Sequence, residues 1–69
     1  MSNPTSSPAL AALREYVAAG HSATSIARDL GVAQNTALRW VRGEREPRAG
    51  DAARLELLTE GAVRAAEWA

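Results

Sequence analysis

The residues best suited to chemistry in this sequence are Gln34, Asn35, Leu38, Arg39 and Arg42. They stand at i, i+1, i+4, i+5 and i+8, a spacing that gathers them on one face of a helix. A glutamine or asparagine amide pairs bidentately with the N6 and N7 edge of adenine, and a guanidinium does the same with the O6 and N7 edge of guanine. Leu38 is apolar within this polar stripe, and a thymine methyl would give it a partner. These residue types suit the reading of base edges in the major groove. An ordinary solvated helix face with one exposed leucine is the plainer alternative.

A stripe of this kind reads bases only if other elements hold its helix at the right angle. Ile26, Ala27 and Leu30 fall at i, i+1 and i+4 and make the inner face of a preceding helix. Gly31 follows where a helix end needs a left-handed residue, and Val32 returns the chain to the core. Ala37, Trp40 and Val41 form the inner face of the second helix, opposite the polar stripe. Small Ala27 permits close approach. The result is two short amphipathic helices joined by a turn too short for antiparallel packing, a helix-turn-helix.

The rest of the chain frames this pair. Residues 1–7, with one proline and three serines, read as a flexible arm that carries no basic residue for a minor groove. Ser7 and Pro8 are an N-cap and a first helical position, and Leu10, Leu13 and Val17 face inward until Gly20 stops the helix. On this brace Arg14 and Glu15 are expected to be solvated. Ser22 caps the next helix near Ala23, and its hydroxyl, Thr24 and the helix's own amides make a natural phosphate site. Gly43 ends the recognition helix of residues 34–42, and a polar loop to Gly50, broken by Pro47, offers Arg45 and Arg48 to the DNA backbone. Asp51 is expected to cap a fourth helix with Ala52, Leu55 and Leu58 inward, ended by Gly61, before Ala62 and Val63 fold back and residues 64–68 make a last short turn. The expected fold is all-α: four helices and a C-terminal turn in one domain over residues 8–69.

Residues 28–35, Arg-Asp-Leu-Gly-Val-Ala-Gln-Asn, resemble the core of the phage Cro and repressor helix-turn-helix proteins. Residues 51–56 and 59–63 extend the likeness to the all-helical branch of Cro proteins and the related Cro/YdaS-type regulators, and residues 40–47 have the shape of the loop that follows their recognition helix. The likeness spans about residues 10 to 66. It implies a lambda-repressor-like fold and a bacterial or phage-encoded transcriptional repressor, cytoplasmic, binding double-stranded operator DNA as a homodimer. In such proteins Gln34, Asn35, Leu38 and Arg39 would read bases. Residues opening the first motif helix, here Ser22 and Thr24, and those ending or following the second, here Arg42 and Arg45, would touch phosphate. The C-terminal region, with Leu57 and Val63, would form the dimer face. Trp68 either joins that face or tucks against the first helix. Two positions depart from the family pattern: Ala23 stands where a glutamine often braces the recognition helix, and Ala37 where a branched aliphatic residue is usual.

Length and composition narrow the remaining possibilities. A chain of 69 residues makes one small domain, and a fold of this size buries only about 60% of its unfolded surface, so a dimer interface would help it. There is no Phe, and the aromatics are Tyr16, Trp40 and Trp68. The absence of cysteine rules out disulfides and thiolate metal sites. No apolar run approaches the ~20 residues of a membrane span and no signal peptide opens the chain, so an intracellular protein is expected. Net charge is zero, where a DNA-binding domain is expected to be basic. Its distribution is uneven, however. Arg28, Arg39, Arg42, Arg45 and Arg48 outnumber Asp29, Glu44 and Glu46 around the motif, while acids outnumber Arg54 and Arg64 beyond residue 50. Weak non-specific affinity, with specificity resting on base contacts, is the expectation.

Enzyme chemistry finds little here. Glu56 and Glu60 are expected on an exposed helix face, His21 has no second ligand or base nearby, and neither a phosphate-binding glycine loop nor a nucleophile elbow occurs. No cofactor, metal or small-molecule substrate is expected. The principal rival is an antitoxin-like or other protein-interaction module, favoured by zero net charge and an apolar C terminus with Val63 and Trp68. An architectural DNA-bending factor would need a wedge or a basic minor-groove arm, and the sequence has neither.

Overall fold

The computed structural model describes residues 7–68. Its elements are α1 (Pro8–Ala18), α2 (Ala23–Leu30), α3 (Gln34–Arg42), α4 (Ala49–Leu58) and a single 3₁₀ turn, Ala65–Glu67. Among the described residues there is no strand, and the all-α expectation of four helices and a terminal turn is met. The arm expected over residues 1–7 lies, except for Ser7, outside the described residues. Ser7 itself caps α1, its hydroxyl accepting the Leu10 N–H at 3.1 Å with Pro8 at the first helical position.

The centre of the fold is the α2–α3 pair. Ile26, Ala27 and Leu30 of α2 and Ala37 and Trp40 of α3 are all buried, so the inner faces read from the periodicity are the faces that pack. Trp40 is 1% exposed and is the largest fully buried side chain. Its neighbour one turn back is only an alanine, Ala37, and the indole supplies the bulk that a branched residue there would otherwise provide. Behind this pair α1 packs on α3 and α4 packs on α2, while the C-terminal turn touches both α1 and α4. Leu13, Leu55 and Val63 complete the enclosed core.

Both motif helices end in a left-handed glycine. At Gly31, φ 72°, the Val32 N–H reaches Ala27 O at 3.0 Å and the Gly31 N–H reaches Arg28 O at 3.3 Å. At Gly43, φ 78°, the Glu44 N–H reaches Arg39 O at 2.9 Å and the Gly43 N–H reaches Trp40 O at 3.1 Å. These paired back-bonds are Schellman caps, which need a residue that tolerates positive φ. The same pairing closes α4, from Gly61 to Glu56 at 2.8 Å and from Glu60 to Leu57 at 3.2 Å. There the left-handed turn opens at Glu60, φ 55°, and continues through the expected glycine, Gly61, φ 86°.

Several other expectations are corrected. Asp51 does not cap α4. The helix opens two residues earlier, with the Ala52 N–H bonded to Arg48 O at 2.7 Å, and Asp51 sits in the first turn, 3.8 Å from the Arg54 guanidinium. An acid in the first turn still favours the helix, through its dipole rather than through a cap. Glu56 is half-buried, its carboxylate accepting the Ala65 N–H at 2.8 Å and so holding the terminal 3₁₀ turn. Glu60 lies beyond the helix altogether. Val63 is 0% exposed and Trp68 9%, so both belong to the chain's own core. Of the three residues expected at a dimer face, only Leu57, 80% exposed, points outward. Trp68 takes the other course open to it: it shares a hollow with Ser7, Leu10 of α1 and Gly43 and Glu44 after α3. Contact area alone holds the ring, because its indole N–H is buried with no partner among the described residues.

The buried Thr59 hydroxyl links α4 to this tail, donating to Leu55 O at 2.9 Å and accepting the Val63 N–H at 3.0 Å. Thr59→Val keeps the shape but leaves the Val63 N–H unpaired, and should lower unfolding free energy by about 1–3 kcal/mol in denaturant titration. Glu60→Gly relieves a left-handed side-chain residue and should raise it by about 0.5–1 kcal/mol in the same assay.

Candidate nucleic-acid interface

Helix α3 spans the nine residues Gln34–Arg42, the boundaries expected for the recognition helix. With Ala37 and Trp40 turned inward, Gln34, Asn35, Arg39 and Arg42 are all exposed on the opposite side. Leu38 is half-buried and packs against the core, so only part of it is open to a partner. The apolar residue in the stripe thus has a packing role as well. Ala33 precedes the helix without a side-chain cap, leaving the first amides of α3 unclaimed by any side chain.

Among the described residues the only ion pair is that of Arg54 with Asp51. The charges of Arg39, Arg42, Arg45 and Arg48 are therefore not tied up by acids, although Glu44 and Glu46 alternate with two of them in sequence. Unpaired exposed guanidinium groups beside a hydrogen-bonding stripe suit contacts to phosphate and guanine. Among the described residues Gln34 has no side-chain partner to brace it. The first position of α2 is the buried Ala23, which has no polar group to offer.

Ser22 and Thr24 are exposed at the start of α2. The Ser22 hydroxyl accepts the Ser25 N–H at 3.1 Å, which uses an acceptor site and leaves its O–H available to donate. Capping the helix and donating to phosphate are compatible roles for this side chain. His21, just before it, stacks on Tyr16 of α1 with ring centroids 3.9 Å apart and planes 8° from parallel. Arg45 is exposed in the loop after α3, where it borders hollows on both sides.

Sequence reasoning missed the side chains that hold these elements from outside. Arg14 of α1, expected to be solvated, is exposed yet donates through Nε to Val41 O at 3.0 Å and through Nη2 to Arg42 O at 3.2 Å. Arg54 of α4 donates to Leu30 O at the end of α2. Each motif helix thus has a guanidinium from a flanking helix on its terminal carbonyls, where a positive charge also opposes the negative end of the helix dipole. Both contacts join residues more than twenty positions apart, and no local pattern announces them.

The model of the helix-turn-helix family matches residues 10–59, from within α1 to the cap of α4, and the chain belongs to this family of DNA-binding transcription regulators. No curated protein and no solved structure matches the chain. No helix among the described residues is long and apolar enough to cross a membrane. Within the exposed stripe Arg39 has no acidic neighbour to satisfy it. Arg39→Ala should cost about 1–3 kcal/mol in binding a preferred duplex and relax preference at one base pair, as read by competition with single-base variants.

Proposed function

We propose that this protein is a Cro-like transcriptional repressor that binds a pseudo-palindromic operator as a homodimer. The observation that carries the reading is the exposed stripe of Gln34, Asn35, Arg39 and Arg42 on a helix whose other face is locked into the core by Trp40. Residues 34–42 enter the major groove, with Gln34, Asn35, Leu38 and Arg39 against base edges. Ser22 and Thr24 at the start of α2, with Arg42 and Arg45, meet phosphates on either side of the groove. Each subunit reads one half-site, and an occupied promoter excludes polymerase. The setting is the cytoplasm of a bacterial cell, with the gene carried by a phage or by the chromosome.

Leu57 is the residue of the expected dimer face that remains available to a second subunit, and the partner contact is assigned to the outer side of α4 around it. A neutral chain with a thin core suits a dimer assembled on the operator, where DNA binding supplies stability the free subunit lacks. The rival protein-interaction module drew its support from an apolar C terminus. With Val63 and Trp68 enclosed, that support reduces to one exposed leucine, which by itself needs no partner.

Selection of bound duplexes from a randomised pool at near-physiological salt tests this reading. The expected product is an inverted repeat whose half-sites lie one helical turn, about 34 Å, apart on one face of the duplex. Affinity for it should fall as salt rises, because phosphate contacts release counterions. A folded chain that enriches no sequence would transfer the function to a protein partner.

A further inference from the structure

Four of the contacts at the end of α3 are made by groups of known origin, and two of them come from another helix. The Schellman cap at Gly43 satisfies the carbonyls of Arg39 and Trp40. The carbonyls of Val41 and Arg42 remain, and both are taken by the single guanidinium of Arg14, at 3.0 and 3.2 Å. Arg14 has no acidic partner within ion-pair distance among the described residues, so this fork on α3 is its principal engagement. At the other end α3 is held by the short turn from Gly31. It is therefore fixed at both termini, to α2 at the start and to α1 at the finish.

We propose that Arg14 is a positioning residue for DNA reading: by gripping the last two carbonyls of α3 it sets the angle at which the recognition helix meets the groove. The proposal rests on α3 being the reading helix. A helix of nine residues is about 13 Å long, so a tilt of about 10° about its N-terminal end moves the other end by about 2 Å. Recognition groups need to be held to within about 0.5 Å. Arg39 and Arg42 lie in the last turn and are displaced most, whereas Gln34 and Asn35 sit beside the pivot. Lysine does not replace the arginine fully, because an ammonium has no planar fork to span two successive carbonyls.

The test compares the whole chain with Arg14→Ala and Arg14→Lys by two measurements: binding of the selected and random duplexes across a salt series, and amide hydrogen exchange of the free protein. In Arg14→Ala the ratio of selected to random affinity should fall about five- to thirtyfold, the span that corresponds to losing one or two kcal/mol. Preference should weaken most at the base pair facing Arg39, the base-reading residue in the last turn. The salt slope should match the parent chain, and exchange should quicken in the last turn of α3 while α2 and α4 stay protected. Arg14→Lys should show the same changes at smaller size, and it decides the matter if Arg14→Ala does not fold. An equal loss on both duplexes, or a salt slope lower by about one, would make Arg14 a phosphate contact and overturn the proposal. Unchanged affinity ratio and exchange would overturn it as well. If the parent chain itself selects no duplex, the DNA reading fails and the role of Arg14 falls with it; that outcome is read on the unsubstituted protein and cannot be confused with the others.

Discussion

Burial of Trp40 is the interaction on which the rest of this structure depends. The chain contains no Phe, and most of its core consists of alanine and leucine, so one indole at 1% exposure provides a large share of the apolar area available to the α2–α3 pair. It also sits on the same short helix as the polar stripe. Because a helix is rigid about its axis, turning Trp40 into the core turns Gln34, Asn35, Arg39 and Arg42 outward by the same rotation. Core packing and the exposed polar stripe are two faces of one nine-residue element.

A core this thin is supplemented at the helix ends. Three helices close with Schellman pairs, and three long side chains reach elsewhere in the chain to complete the termini: Arg14 to α3, Arg54 to α2 and Glu56 to the final 3₁₀ turn. Unpaired terminal amides and carbonyls are costly when they are shielded from water, and in a domain of this size they are a large fraction of the backbone. The two arginines follow the layout of the fold. α1 lies on α3 and α4 lies on α2, and each flanking helix sends its guanidinium to the motif helix it supports.

The charge pattern follows the same division. The only ion pair among the described residues lies at the start of α4, behind the motif, while the arginines on and after α3 carry unpaired charge. A chain of zero net charge can present a locally basic face when its acids lie elsewhere, and the acids beyond residue 50 include Glu56, which is committed to the tail. A local field of this kind orients a polyanion more than it attracts one from a distance.

The sequence alone determined the helices, their caps and the division of faces. Period 3.6 separates Ala37 and Trp40 from Gln34, Asn35 and Arg39, and Ser7, Ser22, Gly31 and Gly43 mark boundaries through local chemistry that needs no tertiary partner. Where local signals compete, they mislead. Asp51 is a plausible cap, yet α4 begins at Ala49, and its left-handed turn opens at Glu60 before the expected Gly61, where packing on α2 and the tail bounds the helix. Tertiary structure alone decided the fate of long side chains and of the C terminus. Nothing within a few residues of Arg14, Glu56 or Trp68 specifies whether each faces water, a carbonyl or the core. That depends on what the fold brings within reach of them, and those partners lie nine to fifty or more residues away in the chain.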